Sequence, residues 1–257
     1  MDKKIAGKYR LRRMAFKFLR TFRAPLATTK VLKDLFLFKK TGSNRFKTSL
    51  LDLYPIANEK TATTAFDRHY VYHPAWAIRV VKEINPAFHV DISSTLHFCA
   101  NLSAFIPVKF YDYRPASLIL DGLETNKGDL MNLPFESNSL ESISCMHTLE
   151  HVGLGRYGDP IDPDGDIKAI KELKRVLKSG GSLLIVTPVG KPRVEYNAHR
   201  IYSPYQVRDM VVDDNFTLKE FAFIPQRDKE GGLARNAPLS SADNAYYACG
   251  CFWFVKK

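Results

Sequence analysis

Segments with the patterns of β-strands and α-helices alternate along most of this chain, and that alternation limits the folds open to it. Predicted strands cover residues 88–91, 108–112, 140–146 and 182–187, and predicted helices cover residues 74–84, 95–105, 167–177 and 204–212. The last of these strands is almost continuously apolar, which is typical of a strand buried on both faces of a parallel sheet. The alternation predicts an α/β fold with a doubly wound, mostly parallel sheet and right-handed connections.

The C-terminal part of the chain departs from this alternation. Residues 216–224 and 245–255 both have strand patterns, and no helical pattern separates them. We therefore expect these two strands to pair antiparallel. Such a hairpin at the end of the sheet departs from the strand order of dinucleotide-binding Rossmann folds.

The positive charge of the chain is concentrated at its N-terminus. The 257 residues carry a formal net charge of +11, but residues 1–47 contribute +13 and the remainder −2. Apolar residues recur there at helical spacing among lysines and arginines, which predicts a basic amphipathic helix that ends before Pro25. These residues are Leu11, Met14, Phe18 and Phe22. We therefore divide the chain into a basic helical arm with a linker, residues 1–60, and a body, residues 61–257.

The arm has three possible partners. A second apolar cluster at residues 31–38 is followed by Lys39 and Lys40, and basic residues near an anionic membrane contribute about 1 kcal/mol each. We expect residues 1–40 to hold a cytoplasmic protein at the inner face of a membrane, with packing on the body as the alternative. Nucleic acid is not an expected partner because the body is nearly neutral. No apolar run reaches the roughly 20 residues of a membrane span.

The four cysteines are sparse, as expected of a reduced cytoplasmic protein. Cys249 and Cys251 are too close in sequence for an ordinary disulfide bond. No second Cys-x-x-Cys motif or spaced histidine pair accompanies them, so we expect structural cysteines and no metal site.

Polar side chains stand at the predicted carboxyl ends of successive strands, where open α/β sheets bind their ligands. The set comprises Asp91, Ser93, Asp112, Asp129, Leu130 and His147. A carboxylate at the end of the second strand, Asp112, can accept both hydroxyl hydrogens of a ribose. Asp129 can accept from an adenine amino group while Leu130 covers the ring. The ordered set predicts a site for an adenosyl cofactor.

Residues 147–187 resemble class I S-adenosylmethionine-dependent methyltransferases. The resemblance is carried by His-Thr-Leu-Glu-His, then Glu-Leu-Lys-Arg-Val-Leu-Lys-Ser-Gly-Gly, then Leu-Leu-Ile-Val-Thr-Pro. Three stretches resemble the DUF268 family more narrowly. They are residues 89–93, 149–160 and 197–202. This resemblance covers about residues 66–224, and its most specific part is Gly-Leu-Gly-Arg-Tyr-Gly-Asp-Pro at residues 153–160.

The resemblance implies a methyltransferase-like variant of the Rossmann fold, with seven strands and an antiparallel C-terminal strand. It also implies S-adenosyl-L-methionine as the cofactor. By position, it places Asp91 and Ser93 beside the methionine part, Asp112 at the ribose, Asp129 and Leu130 at the adenine, and His147 near the sulfonium. Because family members are often associated with bacterial surface-polysaccharide synthesis, it implies a sugar hydroxyl as acceptor.

An alcohol acceptor benefits from a general base. Glu150, His151 and His199 are the candidates, and Arg200 is the candidate for orienting a polar or anionic acceptor. The structural alternatives are a helix cap for Glu150, a hydrogen-bonded core position for His151 and an ion pair with Glu195 for Arg200. Residues 153–158 are expected to form a shaped loop over the acceptor pocket.

One feature departs from the methyltransferase pattern. The turn after the first strand, residues 93–97, contains no glycine, although a glycine there lets the backbone approach a cofactor closely. We predict an S-adenosylmethionine-dependent O-methyltransferase acting on a sugar or glycan intermediate. A non-catalytic methyltransferase-like scaffold protein is one alternative. A nicotinamide-dependent enzyme is the other, disfavoured by the absent Gly-x-Gly-x-x-Gly motif and the terminal hairpin.

Overall fold

The computed structural model describes residues 25–41, 45–56 and 59–257. The chain divides into two compact units, residues 1–66 and residues 67–257. In the first unit, helix α1 spans Pro25–Thr41, and a 3-10 turn spans Leu50–Asp52. The apolar side chains of Phe36, Leu37 and Phe38 on α1 are exposed. The helix predicted from Leu11 to Phe22 lies outside the described residues.

The second unit contains nine strands. They are β1 His89–Ile92, β2 Val108–Asp112, β3 Leu123–Lys127, β4 Leu140–Met146, β5 Leu177–Val189, β6 Arg193–Glu195, β7 His199–Ile201, β8 Phe216–Ile224 and β9 Ala248–Lys256. Seven form one sheet in the order β3-β2-β1-β4-β5-β9-β8, and β6 pairs with β7 in a separate hairpin. In the sheet, β9 runs antiparallel to β5 and β8, and the other neighbouring pairs are parallel. The predicted parallel sheet with an antiparallel C-terminal strand is confirmed.

Helices pack on both faces of this sheet. They are α2 Arg68–Ile84, α3 Leu96–Leu102, α4 Gly165–Val176 and α5 Pro204–Val211. The side chains of β5 alternate between the two faces: Leu183 and Ile185 pack in the core under α4 and α5, and Leu184 and Val186 pack in the core under α2 and α3. The sheet is therefore doubly wound, as predicted.

Helix α2 begins six residues earlier than its sequence pattern suggested. The side chain of Asp67 accepts a hydrogen bond from the Tyr70 backbone N–H and caps the helix. Pro74, expected at the first turn, lies inside the helix, where it removes one backbone hydrogen bond. The earlier start places His69, Tyr70 and His73 on the helix.

Two parts of the sheet differ from the prediction. Strand β3 had no predicted range because its sequence, Leu-Glu-Thr-Asn-Lys, is mostly polar, as suits the edge of a sheet. Strand β5 begins at Leu177 instead of at residue 182, so Gly180 and Gly181 lie within it. The register between β4 and β5 shifts next to them, and Gly180 has a φ of 75° that glycine adopts without strain.

All four cysteines are buried free thiols. Among the described residues, no helix combines the length and apolar character that a membrane crossing requires.

Candidate functional site

A cleft of about 200 Å³ opens at the carboxyl ends of the central strands. The strand order reverses between β1 and β4, and open α/β sheets bind ligands outside such a switch point. The cleft is lined by Ser93, Asp112, Tyr113, Arg114, Gly128, Asp129, Leu130, Met131, His147, Thr148, His151, Val152, Tyr157, Asp159 and Pro160. Five of the six predicted cofactor residues are in this set; Asp91 is not.

The glycine-free turn after β1 nevertheless adopts a backbone conformation that favours glycine. Ser93 has a φ of 56°, a left-handed conformation that costs a side-chain-bearing residue roughly 1–2 kcal/mol. Its N–H donates to the Tyr111 carbonyl at 2.8 Å, and its carbonyl accepts from Thr148 Oγ1 at 2.9 Å. His147, at the end of β4, is also left-handed, with a φ of 54°. Strained residues held by their neighbours cluster at functional sites, and these two line the same cleft.

Asp91 lies beneath this turn and is fully buried. Its carboxylate accepts hydrogen bonds from the Ser94 backbone N–H at 3.0 Å, from Cys99 Sγ at 3.4 Å and from Ser144 Oγ. Burial raises the pKa of Asp91 to about 6, although the bonds from Ser144 and Ser94 oppose the rise. The structure thus places Asp91 where it shapes the turn instead of on the wall of the cleft.

Asp112 and Asp129 both line the cleft, on adjacent loops. Oδ1 of Asp112 accepts from the Arg114 N–H at 2.6 Å, and Oδ1 of Asp129 accepts from the Met131 N–H at 2.8 Å. Across the described part of the chain, no hydrogen bond reaches the Oδ2 atom of either carboxylate. Each carboxylate is therefore oriented by one oxygen and can accept from a ligand with the other.

His147 and Glu150 form a buried pair after β4. His147 Nδ1 donates to Glu150 Oε1 at 3.0 Å, and Thr187 Oγ1 donates to Glu150 Oε2 at 3.3 Å. Burial disfavours the imidazolium, but Cys249 and the Glu150 carboxylate outweigh it and raise the pKa of His147 to about 10. Burial raises the pKa of Glu150, but His147 more than offsets this and leaves the pKa lowered. With only 1% of Glu150 exposed, its side chain orients His147 rather than meeting a ligand.

His151 is the predicted base that the structure brings to the cleft. Its Nδ1 lies 2.7 Å from the Ala198 carbonyl, which can only accept, so Nδ1 carries the proton and Nε2 is a free acceptor. Burial lowers the pKa of His151 despite the nearby Glu150 carboxylate. The imidazole is therefore neutral at pH 7 and able to accept a proton.

His199 and Arg200 do not line the cleft. His199 Nε2 lies 3.3 Å from Glu195 Oε2, and its ring contacts those of His151 and Tyr247. Arg200 is 8% exposed, and its guanidinium donates to the carbonyls of Val152 at 2.6 Å and Pro163 at 3.1 Å. It lies 3.6 Å from Asp166 instead of pairing with Glu195. These contacts use Arg200 to hold the loop that follows β4.

Several aromatic and sulfur-bearing residues near His147 were not predicted from the sequence. His69, Tyr70 and His73 on α2 bring their rings to 5.9, 5.2 and 4.9 Å from the His147 ring. Cys249 on β9 places its Sγ 3.6 Å from His147 Nε2. Asp67 as a helix cap could have revealed the two histidines. A helix that begins after Asp67 contains His69 and His73, and residues four apart lie on one helical face.

Comparisons with known proteins agree with this geometry. Residues 132–222 match the family model of DUF268, described as a Caenorhabditis protein of unknown function. The Burkholderia thailandensis 1,6-didemethyltoxoflavin-N1-methyltransferase, solved with 1,6-didemethyltoxoflavin and S-adenosylhomocysteine, superimposes with a TM-score of 0.52 and 12% identity over 72% of this chain and 78% of that one. The fold is that of class I methyltransferases. The sequence also resembles DUF268, as predicted.

Two further comparisons say less about function. A chain from the complex of the Haloferax volcanii Trm112 methyltransferase activator with a protein assigned as a methyltransferase gives a TM-score of 0.50 and 16% identity, over 73% of this chain and 89% of that one. An uncharacterized protein of Methanocaldococcus jannaschii is 26% identical over 89 residues, which are 33% of this chain and 34% of that protein. This chain thus spans about a third of the length of the curated relative it matches. The methyltransferase fold is shared at low identity, so the residues of the cleft must carry any statement about function.

Proposed function

We propose that this protein is an S-adenosyl-L-methionine-dependent O-methyltransferase that acts on a sugar or glycan intermediate of surface-polysaccharide synthesis. The observation that carries the proposal is that one cleft at the switch point contains Ser93, Asp112, Asp129, Leu130 and His147 together. Each stands at its own strand end or the following loop, in the order that an adenosyl cofactor requires.

The cleft residues fit this cofactor by their donors, acceptors and shape. The Oδ2 atom of Asp112 suits ribose hydroxyls, and Asp129 with Leu130 suits the amino group and face of adenine. Ser93 brings its left-handed backbone to the cleft despite the absence of glycine. When bound, the cofactor would supply an electrophilic methyl group.

The chain's own contribution to transfer is positioning and proton removal. His151 Nε2 would accept the proton of an acceptor hydroxyl, since its Nδ1 is occupied by the Ala198 carbonyl. Tyr157 stands beside it with rings in edge contact at 5.6 Å, and the Arg114 guanidinium lies 4.6 Å from the Tyr157 ring centre. An aromatic face next to charged groups supports a polyhydroxylated acceptor. Holding that acceptor in line with the methyl group would supply much of the rate acceleration.

Replacing Asp112 with alanine tests the cofactor assignment. We expect the wild type to bind S-adenosylmethionine in calorimetry and Asp112→Ala to bind it about 10–100-fold more weakly, as for the loss of hydrogen bonds to a charged group. Asp121→Ala, at an exposed position just before β3, is the matched control and should bind like the wild type. Unchanged affinity in Asp112→Ala would refute the ribose assignment.

The same calorimetry separates the competing functions. Binding of neither S-adenosylmethionine nor NAD would favour a scaffold protein, and binding of NAD alone would favour a nicotinamide-dependent enzyme. Methyl transfer onto extracted lipid-linked glycans, with boiled protein as the control, tests the acceptor class directly.

We also propose that residues 1–40 bring the protein to the cytoplasmic face of an anionic membrane. The net charge of +13 over residues 1–47 and the exposed Phe36, Leu37 and Phe38 support this. We expect deletion of residues 1–40 to abolish salt-sensitive sedimentation with anionic vesicles and to leave cofactor affinity unchanged. Equal vesicle binding by both forms would contradict the proposal.

A further inference from the structure

We propose that His69, His147 and Cys249 form a zinc site at the inner end of the cleft, with a fourth position open to water or a ligand. Among the described residues, these three offer ligand atoms that all lie within 4.8 Å of one another. Two imidazole nitrogens and one thiolate are donors that Zn²⁺ accepts, and three protein ligands with an open position are typical of its catalytic sites.

The separation of the ligand atoms suits zinc. With Zn–N bonds of about 2.0–2.1 Å and a Zn–S bond of about 2.3 Å, tetrahedral geometry places nitrogen and sulfur about 3.6 Å apart. Cys249 Sγ lies 3.6 Å from His147 Nε2. The other ligand atoms lie no more than 4.8 Å apart, so His69 must move only a short distance to bind the same ion. His69 lies on a helix, and its ring is stacked on the Tyr247 ring.

The surroundings of His147 match those of a metal-binding histidine. Such histidines donate their second ring N–H to a carboxylate or carbonyl, which fixes the tautomer and directs the other nitrogen at the metal. His147 Nδ1 donates to the buried Glu150 at 3.0 Å, and Thr187 holds the other oxygen of that carboxylate. Nε2 is thereby directed toward Cys249.

A second buried group supports a fourth ligand. His73 Nδ1 donates to the His69 carbonyl at 2.6 Å, so Nε2 is an acceptor, and it is buried with no hydrogen-bond partner in the described part of the chain. Its ring lies 4.9 Å from the His147 ring. A water on the zinc would provide the donor that this nitrogen needs.

The three ligands come from different elements, which explains why the sequence shows no metal-binding spacing. His69 lies on α2, His147 follows β4, and Cys249 lies on β9. On zinc binding, the Cys249 thiol and the His147 imidazolium would each release one proton to solvent and bind as thiolate and neutral imidazole. His147 also lines the cleft, so the site adjoins the space that a ligand would enter.

Metal titration of the full chain tests this site without reference to methyl transfer. The purified protein is stripped with a chelator and titrated with Zn²⁺ against a chromophoric competitor. We expect one zinc per wild-type chain, and Co²⁺ in its place should give a thiolate-to-metal charge-transfer band. Cys249→Ser and His69→Gln should each lower zinc affinity about 100-fold or more, and Glu150→Gln about 10–100-fold.

Cys145→Ser is the matched control because Cys145 is as buried as Cys249 and lies outside the cluster. It should retain the zinc affinity and the cobalt band of the wild type. A wild-type chain that takes up no stoichiometric zinc would overturn the site, as would a Cys249→Ser variant that binds like the wild type. Circular dichroism of each apoprotein shows whether lost binding reflects lost folding, and in that case the wild-type stoichiometry and His69→Gln decide.

Discussion

Gly153→Ala is expected to lower the free energy of unfolding by about 2–5 kcal/mol. A Cβ at Gly153 would stand 2.0 Å from the Asp162 carbonyl oxygen, so backbone must move. Forcing atoms into a packed position costs about 1–3 kcal/mol, and the φ of 79° adds about 1–2 kcal/mol for a residue with a side chain. Gly165, at the start of α4, also lies against Gly153, which leaves the loop little room to relax.

Gly158→Ala is the matched control for this prediction. Gly158 has a similar φ of 85° in the same loop, but a Cβ there would meet nothing within 4 Å. We expect it to cost only about 1–2 kcal/mol. Urea unfolding of both variants measures the difference, and equal stabilities would show that the close approach of Gly153 to Asp162 does not constrain the loop. Because Val152 and Tyr157 line the cleft, Gly153→Ala should also weaken cofactor binding more than Gly158→Ala does.

Arg200→Met is expected to lower the free energy of unfolding by about 3–5 kcal/mol. Removing one partner of a buried ion pair leaves an uncompensated charge, and such losses are of this size. The charge left behind is Asp166, which is 6% exposed and, among the described residues, keeps hydrogen bonds only from Tyr202 Oη at 2.8 Å and from the Ile167 N–H at 3.1 Å. The carbonyls of Val152 and Pro163 would lose their donors as well.

Two comparisons identify the cause of this loss. Arg208→Met removes an arginine whose pair with Asp209 is exposed to solvent, so it should cost less than about 1 kcal/mol. The double variant Arg200→Met with Asp166→Asn should recover part of the stability, because the unpaired charge is gone. If Arg200 instead orients an acceptor, Arg200→Met would keep wild-type stability in urea and lose only turnover.

Gly153 and Arg200 show what the DUF268-like stretches do in the fold. Residues 149–160 form the wall of the cleft that carries Val152 and Tyr157. Residues 197–202 hold that wall from behind: Arg200 donates to the Val152 carbonyl, and the Ala198 carbonyl accepts from His151. These stretches therefore build and hold a shaped loop, and only part of them faces the cleft.

The carboxyl-end residues of the sheet were predictable because parallel strands bring their ends to one edge. Ser93, Asp112, Asp129, Leu130 and His147 reach the cleft for that reason. Side-chain direction was not predictable in the same way. Asp91 lies two residues before Ser93, yet it points into the core and binds Ser94 and Cys99, because it belongs to the strand and not to the turn.

For the candidate catalytic residues, too, the sequence indicated the positions but not the environments of the side chains. The sequence offered Glu150, His151, His199 and Arg200 as candidates for one acceptor site, but their environments depend on contacts across the fold. Glu150 is fixed by Thr187 of β5, whereas His151 keeps Nε2 available because a carbonyl from the segment before β7 takes its other nitrogen. Among these four, Arg200 is the residue whose role Arg200→Met tests, by comparing stability with turnover.

The sequence by itself determined most of the order of strands and helices, the C-terminal hairpin and the strand ends that form the cleft. These follow from local periodicity and from the geometry of parallel sheets, both of which act over short stretches of chain. Only the tertiary structure decided that His69, His147 and Cys249 meet, that Arg200 is buried against Asp166 and that Ser93 adopts the left-handed conformation that favours glycine. Such contacts join residues far apart in the chain, where no local pattern records which side chains the packing of helix on sheet will bring together.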